Sequence, residues 1–261
     1  MKRIDLIKLD HNVKVGDVCE YIEPNVTEDC IFYADGEPIG FYLTRMPEKM
    51  CKLADLANEE LMSKNVKLEG RVGLTGDGGA FKRKGRPEFE GKSVILGSVR
   101  AKPHLGRNYP NIASAHSNPK SKNFIKAMLL LAKESEQLIK EILPKQYDQQ
   151  VELFKEVLDK WKFGNLFTSS ISNYNLDCSY HIDNANIKGC VNVIICKKLN
   201  SKGGDLSIPD YGATIGQQDN SILVYPAWRN VHGVTPIIPL HEDGYRNSLV
   251  FYPLKAFVGL K

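Results

Sequence analysis

The C-terminal part of the chain contains, in order, GCVNVIICKK at 189–198, DLSIP at 205–209, ATIG at 213–216, SILVYP at 221–226, HGVTPI at 232–237 and NSLVFYPL at 247–254. Each segment is rich in β-branched or aromatic residues and is bounded by Gly, Pro, Asn or Asp, which is typical of short β-strands. Together with LFTSSISNYNL at 166–176, they give seven or eight strands in under a hundred residues, with no helix between them. This density predicts an antiparallel sandwich or jelly roll.

The first half of the chain is predicted to add a hairpin and supporting helices. CIFYADGEPIGFYL at 30–43 predicts a hairpin that turns at 35–36, because Asp-Gly accepts the positive φ angles of a tight turn. Apolar residues at helical spacing predict helices over about 47–61, 118–143 and 148–161. The predicted fold class is therefore α+β, with helices that support a strand-rich C-terminal half.

Basic residues concentrate in one Gly-rich stretch, 64–107. It holds eleven Lys or Arg against four acidic residues, a formal charge of +7, whereas the whole chain of 261 residues carries +4. Glycine at this density predicts a loop, and cations on a loop are typical of contacts with a phosphate backbone. The two clusters of cations are Lys82, Arg83, Lys84 and Arg86, and then Arg100, Lys102 and Arg107. On composition alone, a solvated loop without a partner is an equally good interpretation.

The composition excludes several classes of protein. With 42% hydrophobic and 25% charged residues, the chain has the composition of an ordinary globular protein. Its longest apolar stretch is far shorter than the roughly 18 residues of a membrane-spanning helix, and its start lacks the apolar region of a secretion signal. Six scattered cysteines without a CxxC pair favour reduced thiols. We expect a cytoplasmic protein without a membrane partner, and the oligomeric state stays open, a monomer included.

Two histidines have informative neighbours, His181 in HID and His232 in NVHGVTP. On an extended segment, residues two apart point the same way, so His181 and Asp183 converge on one point. A third ligand from a distant strand, for which His232 is the natural candidate, completes two histidines and one carboxylate. That set leaves open coordination positions and suits iron(II) better than structural zinc.

An arginine on the last predicted strand strengthens this interpretation. Iron(II) that activates dioxygen needs two electrons, which 2-oxoglutarate supplies, and the distal carboxylate of 2-oxoglutarate needs a partner inside a dry barrel. A bidentate guanidinium offsets the cost of burying that charge. Arg246 follows His232 by fourteen residues, and the hydroxyl of Ser248 lies on the same strand face. We therefore expect Arg246 and Ser248 to hold 2-oxoglutarate.

Four motifs carry a family resemblance: HIDNAN at 181–186, GGDLSIPDYG at 203–212, HGVTP at 232–236 and RNSLVFY at 246–252. In this order they resemble the TET/JBP nucleic-acid base dioxygenases, in particular their small phage and bacterial members, whose pattern is HxDxxN, GGxLxxP, HGVTP and RxSLVFY. The resemblance covers roughly residues 161 to 257. It implies a double-stranded β-helix, dependence on Fe(II) and 2-oxoglutarate with dioxygen as co-substrate, and oxidation of the 5-methyl group of a pyrimidine in DNA.

By this resemblance, the catalytic metal ligands are His181, Asp183 and His232. Arg246 and Ser248 bind 2-oxoglutarate, and Asn186 lies beside the metal ligands or the substrate. Tyr180, Trp228 and Arg229 are further candidates for the substrate pocket, although ordinary core packing explains Tyr180 equally well.

DNA contact is expected mainly from the first part of the chain. A stacked base cannot reach a metal inside a barrel, so the base must flip out, and phosphate contacts must offset that cost. Lys82, Arg83, Lys84, Arg86 and Arg100 are the expected donors. Residues 1–117 are thus predicted as strands, helix and a basic DNA-contacting loop, and 118–261 as helices plus the double-stranded β-helix, in one integrated domain.

Several substrates stay open at this point. The leading prediction is hydroxylation of 5-methylcytosine to 5-hydroxymethylcytosine in DNA. The alternatives are thymine hydroxylation to 5-hydroxymethyluracil, hydroxylation of a protein or small molecule on the same fold, and a noncatalytic nucleic-acid-binding module. If the protein is phage-encoded, its expected location is the cytoplasm of the bacterial host.

Overall fold

A computed structural model of the protein describes residues 1–70 and 91–260. The three α-helices within these ranges are α1 (Glu48–Met62), α2 (Lys122–Ile142) and α3 (Pro144–Phe154). The strands are β1 (Lys2–Asp5), β2 (Cys30–Ala34), β3 (Glu37–Leu43), β4 (Glu69–Gly70), β5 (Lys92–Val99), β6 (Asn111–Ile112), β7 (Ser169–Tyr174), β8 (Cys178–His181), β9 (Asn192–Leu199), β10 (Ser201–Gly203), β11 (Leu206–Ile208), β12 (Ala213–Ile215), β13 (Ile222–Tyr225), β14 (His232–Val234), β15 (Ile237–Pro239) and β16 (Tyr245–Tyr252).

These strands form a large and a small sheet that face each other. The large sheet has the order β1-β2-β3-β13-β9-β16-β7-β5-β4, with β6 paired to β5, and the small sheet has the order β12-β11-β14-β8. Strands β10 and β15 form a separate pair. Apart from the parallel pair β1–β2, the paired strands in the described ranges run antiparallel. The architecture is the jelly-roll core that the strand density predicts.

Alternating side chains give the large sheet two buried faces. On β13, Ile222 and Val224 pack into the cluster that contains the apolar sides of α1 and α2. Leu223 and Tyr225, which alternate with them, pack instead with residues of the small sheet such as Ile215. Successive side chains on a strand point to opposite faces, so one strand serves both layers. The helices thus brace one face of the large sheet, while its other face is covered by the small sheet.

The predicted local structure of the first half is largely confirmed. Strands β2 and β3 form the expected hairpin, and Asp35 and Gly36 at its turn have φ angles of 53° and 81°. Helices α1 and α2 lie where the apolar spacing predicts them. The third helix differs from its predicted range of about 148–161. It begins earlier, at Pro144, a residue that the first turn of a helix accepts. It ends at Phe154, after which Val157 leaves the helix to pair with Val258.

The basic stretch is not a loop throughout. Residues 92–99 form β5, an eight-residue strand between β7 and β4, because the apolar sequence SVIL lies against neighbours in the large sheet. Residues 71–90, which include Lys82, Arg83, Lys84 and Arg86, lie outside the described residues. Strands from both predicted parts of the chain share the large sheet, and the division at residue 117 stays a prediction. In the described ranges, no helix combines the length and apolarity needed to cross a membrane.

Candidate active site

The pairing of β8 with β14 brings together two histidines that are far apart in sequence. His181 ends β8, His232 begins β14, and the two are direct partners in the antiparallel register. Their ring centroids lie 4.4 Å apart, and His181 Nε2 lies 3.8 Å from Asp183 Oδ1. One ligand atom from each of these three residues lies within 4.8 Å of the other two. The structure therefore forms the three-ligand cluster that the sequence predicts.

Backbone carbonyls fix the tautomer of both rings. His181 Nδ1 lies 2.8 Å from the carbonyl oxygen of Ser179, and His232 Nδ1 lies 3.0 Å from that of Asn230. A carbonyl oxygen only accepts, so each Nδ1 carries a proton, and in the neutral form of either ring Nε2 is the nitrogen with a free lone pair. Burial, with a smaller contribution from the neighbouring His181, lowers the pKa of His232 to about 4. Near neutral pH the ring of His232 is neutral, which is the form that binds a metal.

Two asparagines hold the carboxylate of Asp183. Asn192 Nδ2 donates to Asp183 Oδ2 at 3.0 Å, and Asn186 Nδ2 donates to the same oxygen at 3.3 Å. Asn186 Nδ2 also lies 2.9 Å from Asn192 Oδ1, so the two amides support each other. These bonds occupy Oδ2, while Oδ1 is the oxygen near His181. The expected position of Asn186 beside the metal ligands agrees with this geometry. Asn192 was not singled out from the sequence, where its only signal is a polar residue inside the apolar run CVNVII.

The cluster opens into one cavity of about 300 Å³ between the two sheets. The residues predicted to bind metal and 2-oxoglutarate, His181, Asp183, His232, Arg246 and Ser248, all line it. Asn186 and Arg100 line it as well. Strand β16 supplies Arg246 and Ser248 from the large sheet, opposite the histidines of the small sheet. The metal-ligand cluster and the residues predicted to bind 2-oxoglutarate, which the sequence relates only by their order along the chain, therefore line the same cavity.

Arg246 is a buried cation, since only 3% of its surface is exposed. Among the described residues, no carboxylate forms an ion pair with it. Its Nη2 contacts Gln217 Oε1 at 3.4 Å, while Arg246 Nε and Gln217 Nε2 have no hydrogen-bond partner. Nearby, Lys198 Nζ lies 3.9 Å from Asp205, so Lys198 and Arg246 outnumber this carboxylate by one charge. A buried guanidinium without a counter-ion is costly, and a ligand carboxylate satisfies it.

Ser248 and Asn173 border the same part of the cavity. Asn173 Nδ2 donates to Ser248 Oγ at 3.0 Å, and Asn173 Oδ1 is buried without a partner. Both residues line the cavity together with Gln217. Unpaired buried polar atoms are rare in folded proteins, and several of them around one cavity indicate a site for a polar ligand. The unpaired donors Arg246 Nε and Gln217 Nε2 fit a carboxylate of 2-oxoglutarate, and two imidazoles with one carboxylate fit Fe(II).

Three predicted substrate residues have their contacts elsewhere. Tyr180 is buried, and its hydroxyl pairs with Ser207 Oγ at 3.1 Å. Trp228 Nε1 donates to the carbonyl of Cys190 at 2.7 Å, and Arg229 forms an ion pair with Asp35 at 2.7 Å. The structure does not place any of the three in the lining of the cavity, in contrast to Arg100. Each of these polar side chains has a partner within the fold, and the sequence around the motifs gave no sign of those partners.

Comparisons with known proteins agree with this geometry. Residues 107–255, more than half of the chain, match the family described as the oxygenase domain of the 2OGFeDO superfamily, Tet_JBP. The solved structure of NgTET1 in complex with 5mC DNA superposes with a TM-score of 0.62 at 14% identity, covering 93% of this chain and 84% of NgTET1. No curated protein matches the chain.

Two further solved structures match with lower scores. JOX2 in complex with 2OG, Fe and JA has a TM-score of 0.47 at 14% identity, covering 84% of this chain and 68% of JOX2. An oxidoreductase of the 2OG-Fe(II) oxygenase family from Burkholderia pseudomallei has a TM-score of 0.43 at 11% identity, covering 82% of this chain and 84% of that one.

Fold, site and family agree on the class of protein: it is a 2-oxoglutarate and Fe(II)-dependent oxygenase. Within that class, the chain belongs to the Tet_JBP family of oxygenase domains. The members of this superfamily use Fe(II) and 2-oxoglutarate as cofactors, which the cluster of His181, Asp183 and His232 is suited to hold.

Removing the amide of Asn192 should weaken metal binding. In Asn192→Ala, Asp183 Oδ2 loses its shorter hydrogen bond and the carboxylate can rotate, so we expect affinity for Fe(II) to fall by about tenfold. Anaerobic titration with Fe(II) or Co(II) measures this change. Asn184→Ala, on the exposed residue next to Asp183, is the matched control and should bind as the wild type does. Equal affinities in both variants would contradict the role of Asn192.

A carboxylate placed next to Arg246 should compete with 2-oxoglutarate. Gln217→Glu supplies that group at nearly constant volume. Since a hydrogen bond to a charged group is worth about 1.5–3 kcal/mol, we expect the KM for 2-oxoglutarate to rise by about tenfold or more. Titration of the Fe(II) protein with 2-oxoglutarate provides the same test without turnover. Gln218→Glu adds the same charge at the exposed neighbouring residue and should leave KM unchanged. An unaltered KM in Gln217→Glu would place the carboxylate site elsewhere.

Proposed function

We propose that this protein oxidises the 5-methyl group of 5-methylcytosine in DNA to a hydroxymethyl group, acting on a base that is flipped out of the helix. The observation that carries this proposal is the cavity that joins the metal-ligand cluster, a set of basic residues, and Arg246, which has no carboxylate partner in the described ranges. Membership of the Tet_JBP family supports it. The NgTET1 structure of the same fold, which was solved with 5mC DNA, also supports it.

In this proposal each cavity residue has a defined task. His181, Asp183 and His232 hold Fe(II) through two Nε2 atoms and Oδ1. Arg246 and Ser248 bind the distal carboxylate of 2-oxoglutarate. When bound together, iron, 2-oxoglutarate and dioxygen supply an oxidant that attacks a C–H bond. The contribution of the protein is to orient the substrate methyl group near the metal and to exclude water.

The lining of the cavity combines polar and apolar residues, which suits these two ligands. On the polar side, Arg246 Nε and Gln217 Nε2 are the unpaired donors that can bind a carboxylate. Ile171 and Val250 belong to the apolar part of the lining. Its volume of about 300 Å³ lies in the range of small-molecule sites and suits a planar base beside the co-substrate. A methyl group on an apolar wall is held by packing alone, so its position depends on how the rest of the nucleotide is bound.

Basic residues in the lining supply contacts for the phosphates. Arg100, Lys102 and Arg107 line the cavity, and a backbone bridge between Lys102 and Arg107 keeps these two together. Base flipping costs a few kcal/mol, which phosphate contacts of this kind offset. The first basic cluster, at 82–86, would add to this surface, and its participation stays a prediction from the sequence.

The deciding experiment is mass spectrometry of nucleosides from DNA that contains both thymine and 5-methylcytosine. After incubation with the protein, Fe(II), ascorbate and 2-oxoglutarate, we expect new 5-hydroxymethylcytosine. Asp183→Ala should form none, because it lacks the only carboxylate of the cluster, and should bind DNA with unchanged affinity.

Each other outcome identifies a different alternative. 5-Hydroxymethyluracil would show that thymine is the substrate. Succinate without a modified base would point to a protein or small-molecule substrate. Full activity of Asp183→Ala would refute the ligand assignment, and a wild-type protein that binds DNA without binding iron would favour a noncatalytic module.

Neutralising the cavity cations should weaken DNA binding in a salt-dependent way. For Arg100→Ala combined with Arg107→Ala, we expect lower affinity for all DNA sequences and a slope of log affinity against log salt that is smaller by about 1 for each phosphate that the variant no longer neutralises. Fluorescence anisotropy at several salt concentrations measures both. Arg45→Ala, an exposed arginine outside the cavity lining, is the control. A slope equal to that of the wild type would show that these two arginines do not contact phosphate.

A further inference from the structure

An N-terminal segment, residues 9–19, runs along the small sheet without forming a helix or strand. It meets β8 next to the first metal ligand. The N–H of Gly16 donates to the carbonyl of Tyr180 at 2.8 Å, and the N–H of Tyr180 donates to the carbonyl of Asp17 at 2.9 Å. Tyr180 immediately precedes His181, so these two bonds fix the backbone from which the imidazole of His181 projects.

The same segment contacts β14 next to the second histidine. Cys19 packs against Gly233, the residue after His232. A Cβ atom added at Gly233 would lie 2.9 Å from Cys19 Cβ and 3.0 Å from the ring of Tyr180. Only glycine permits this close approach, which gives the glycine of the HGVTP motif a packing role.

A chain of hydrogen bonds provides a third link, from the segment to the ring of His232. His11 Nε2 lies 2.6 Å from Asp210 Oδ1, and Asn230 Nδ2 donates to the other carboxylate oxygen, Oδ2. Tyr225 donates its hydroxyl to Asn230 Oδ1 at 2.9 Å, so both ends of the Asn230 amide are held. The backbone carbonyl of Asn230 is the acceptor for His232 Nδ1. The N–H of Leu9 also donates to the carbonyl of Asp210, which joins the backbones directly.

We propose that the N-terminal segment is a positioning element for the metal centre, which acts on His181 through Tyr180 and on His232 through Asp210 and Asn230. The proposal rests on the assignment of His181 and His232 as metal ligands. His11 and Asp210 belong neither to the metal-ligand cluster nor to the cavity lining, and their role is exerted through the asparagine.

The physical basis is the orientation of two rings. Each imidazole is held by one hydrogen bond from Nδ1 to a backbone carbonyl, and partners of this kind orient a ligand and tune its metal affinity. The orientation of His232 therefore depends on where the carbonyl of Asn230 points. Asp210 fixes that residue through its side chain, and His11 and Leu9 fix Asp210. Without Asp210, the side chain of Asn230 keeps only its bond to Tyr225, so its carbonyl, and with it Nε2 of His232, is held less firmly in one direction.

The test is metal affinity, measured with Co(II) on the full chain without substrate. For Asp210→Ala we expect binding about tenfold weaker than in the wild type and a changed visible Co(II) spectrum. His11→Phe should weaken binding in the same direction by a smaller factor. The conservative variants Asp210→Asn and His11→Gln keep a hydrogen-bonding group at each position, and they should return affinity and spectrum towards the wild type. His241→Phe, the same change at an exposed histidine, is the control.

Thermal unfolding of the metal-free variants separates positioning from general stability. Unchanged Co(II) affinity and spectrum in folded Asp210→Ala would overturn the proposal, whatever its melting temperature. If Asp210→Ala does not fold, folded His11→Phe decides the matter by the same criterion.

His232→Ala, titrated in parallel, tests the underlying assignment. If His232→Ala loses Co(II) binding while Asp210→Ala and His11→Phe keep it, the positioning role alone fails. If His232→Ala binds as the wild type does, the ligand assignment fails with it.

Discussion

The antiparallel pairing of β8 with β14 is the contact on which the site depends. It sets His181 opposite His232, although 50 residues separate them in the chain, and it directs both rings towards the cavity between the sheets. A shift of this register by one residue would turn one ring to the other face of the small sheet. The close contact of Gly233 with Cys19, and the bonds of Tyr180 to the N-terminal segment, lie directly beside this pair and hold it in register.

Burial imposes a second constraint, because the cavity lies within the core of a sandwich. A charge there must be paired or must await a charged ligand, since an isolated buried charge costs several kcal/mol. Asp183 has its two asparagines. Lys197, on the other face of β9, has Asp55 and Asp219. Arg246 differs from these charges, because no described carboxylate pairs with it and its Nε is unbonded. The energetic cost that remains at Arg246 favours binding of a dicarboxylate.

Local patterns in the sequence predicted those features of the site that depend on residues close together in the chain. HID places a histidine and a carboxylate two residues apart, and RNS places Arg246 and Ser248 on one strand face, so both pairs follow from strand geometry. Contacts between distant segments could not be predicted in this way. Asn192 and Gln217 resemble many other polar residues until the fold brings them to Asp183 and Arg246. The contact of His11 with Asp210 could not be predicted either, because the two residues are 199 positions apart in the chain.

Substrate residues were the least predictable part of the site, for a related reason. Proximity to a metal-binding motif indicated Tyr180, Trp228 and Arg229, but each has a polar partner in the fold. A polar side chain next to a metal-ligating residue can either hold that residue's strand in place or touch the substrate. Its position in the sequence does not distinguish these two roles. Arg100 was chosen on charge alone and lines the cavity. A cation suited to phosphate can be chosen from charge alone, whereas a residue that orients a ligand needs one particular partner, which the sequence does not show.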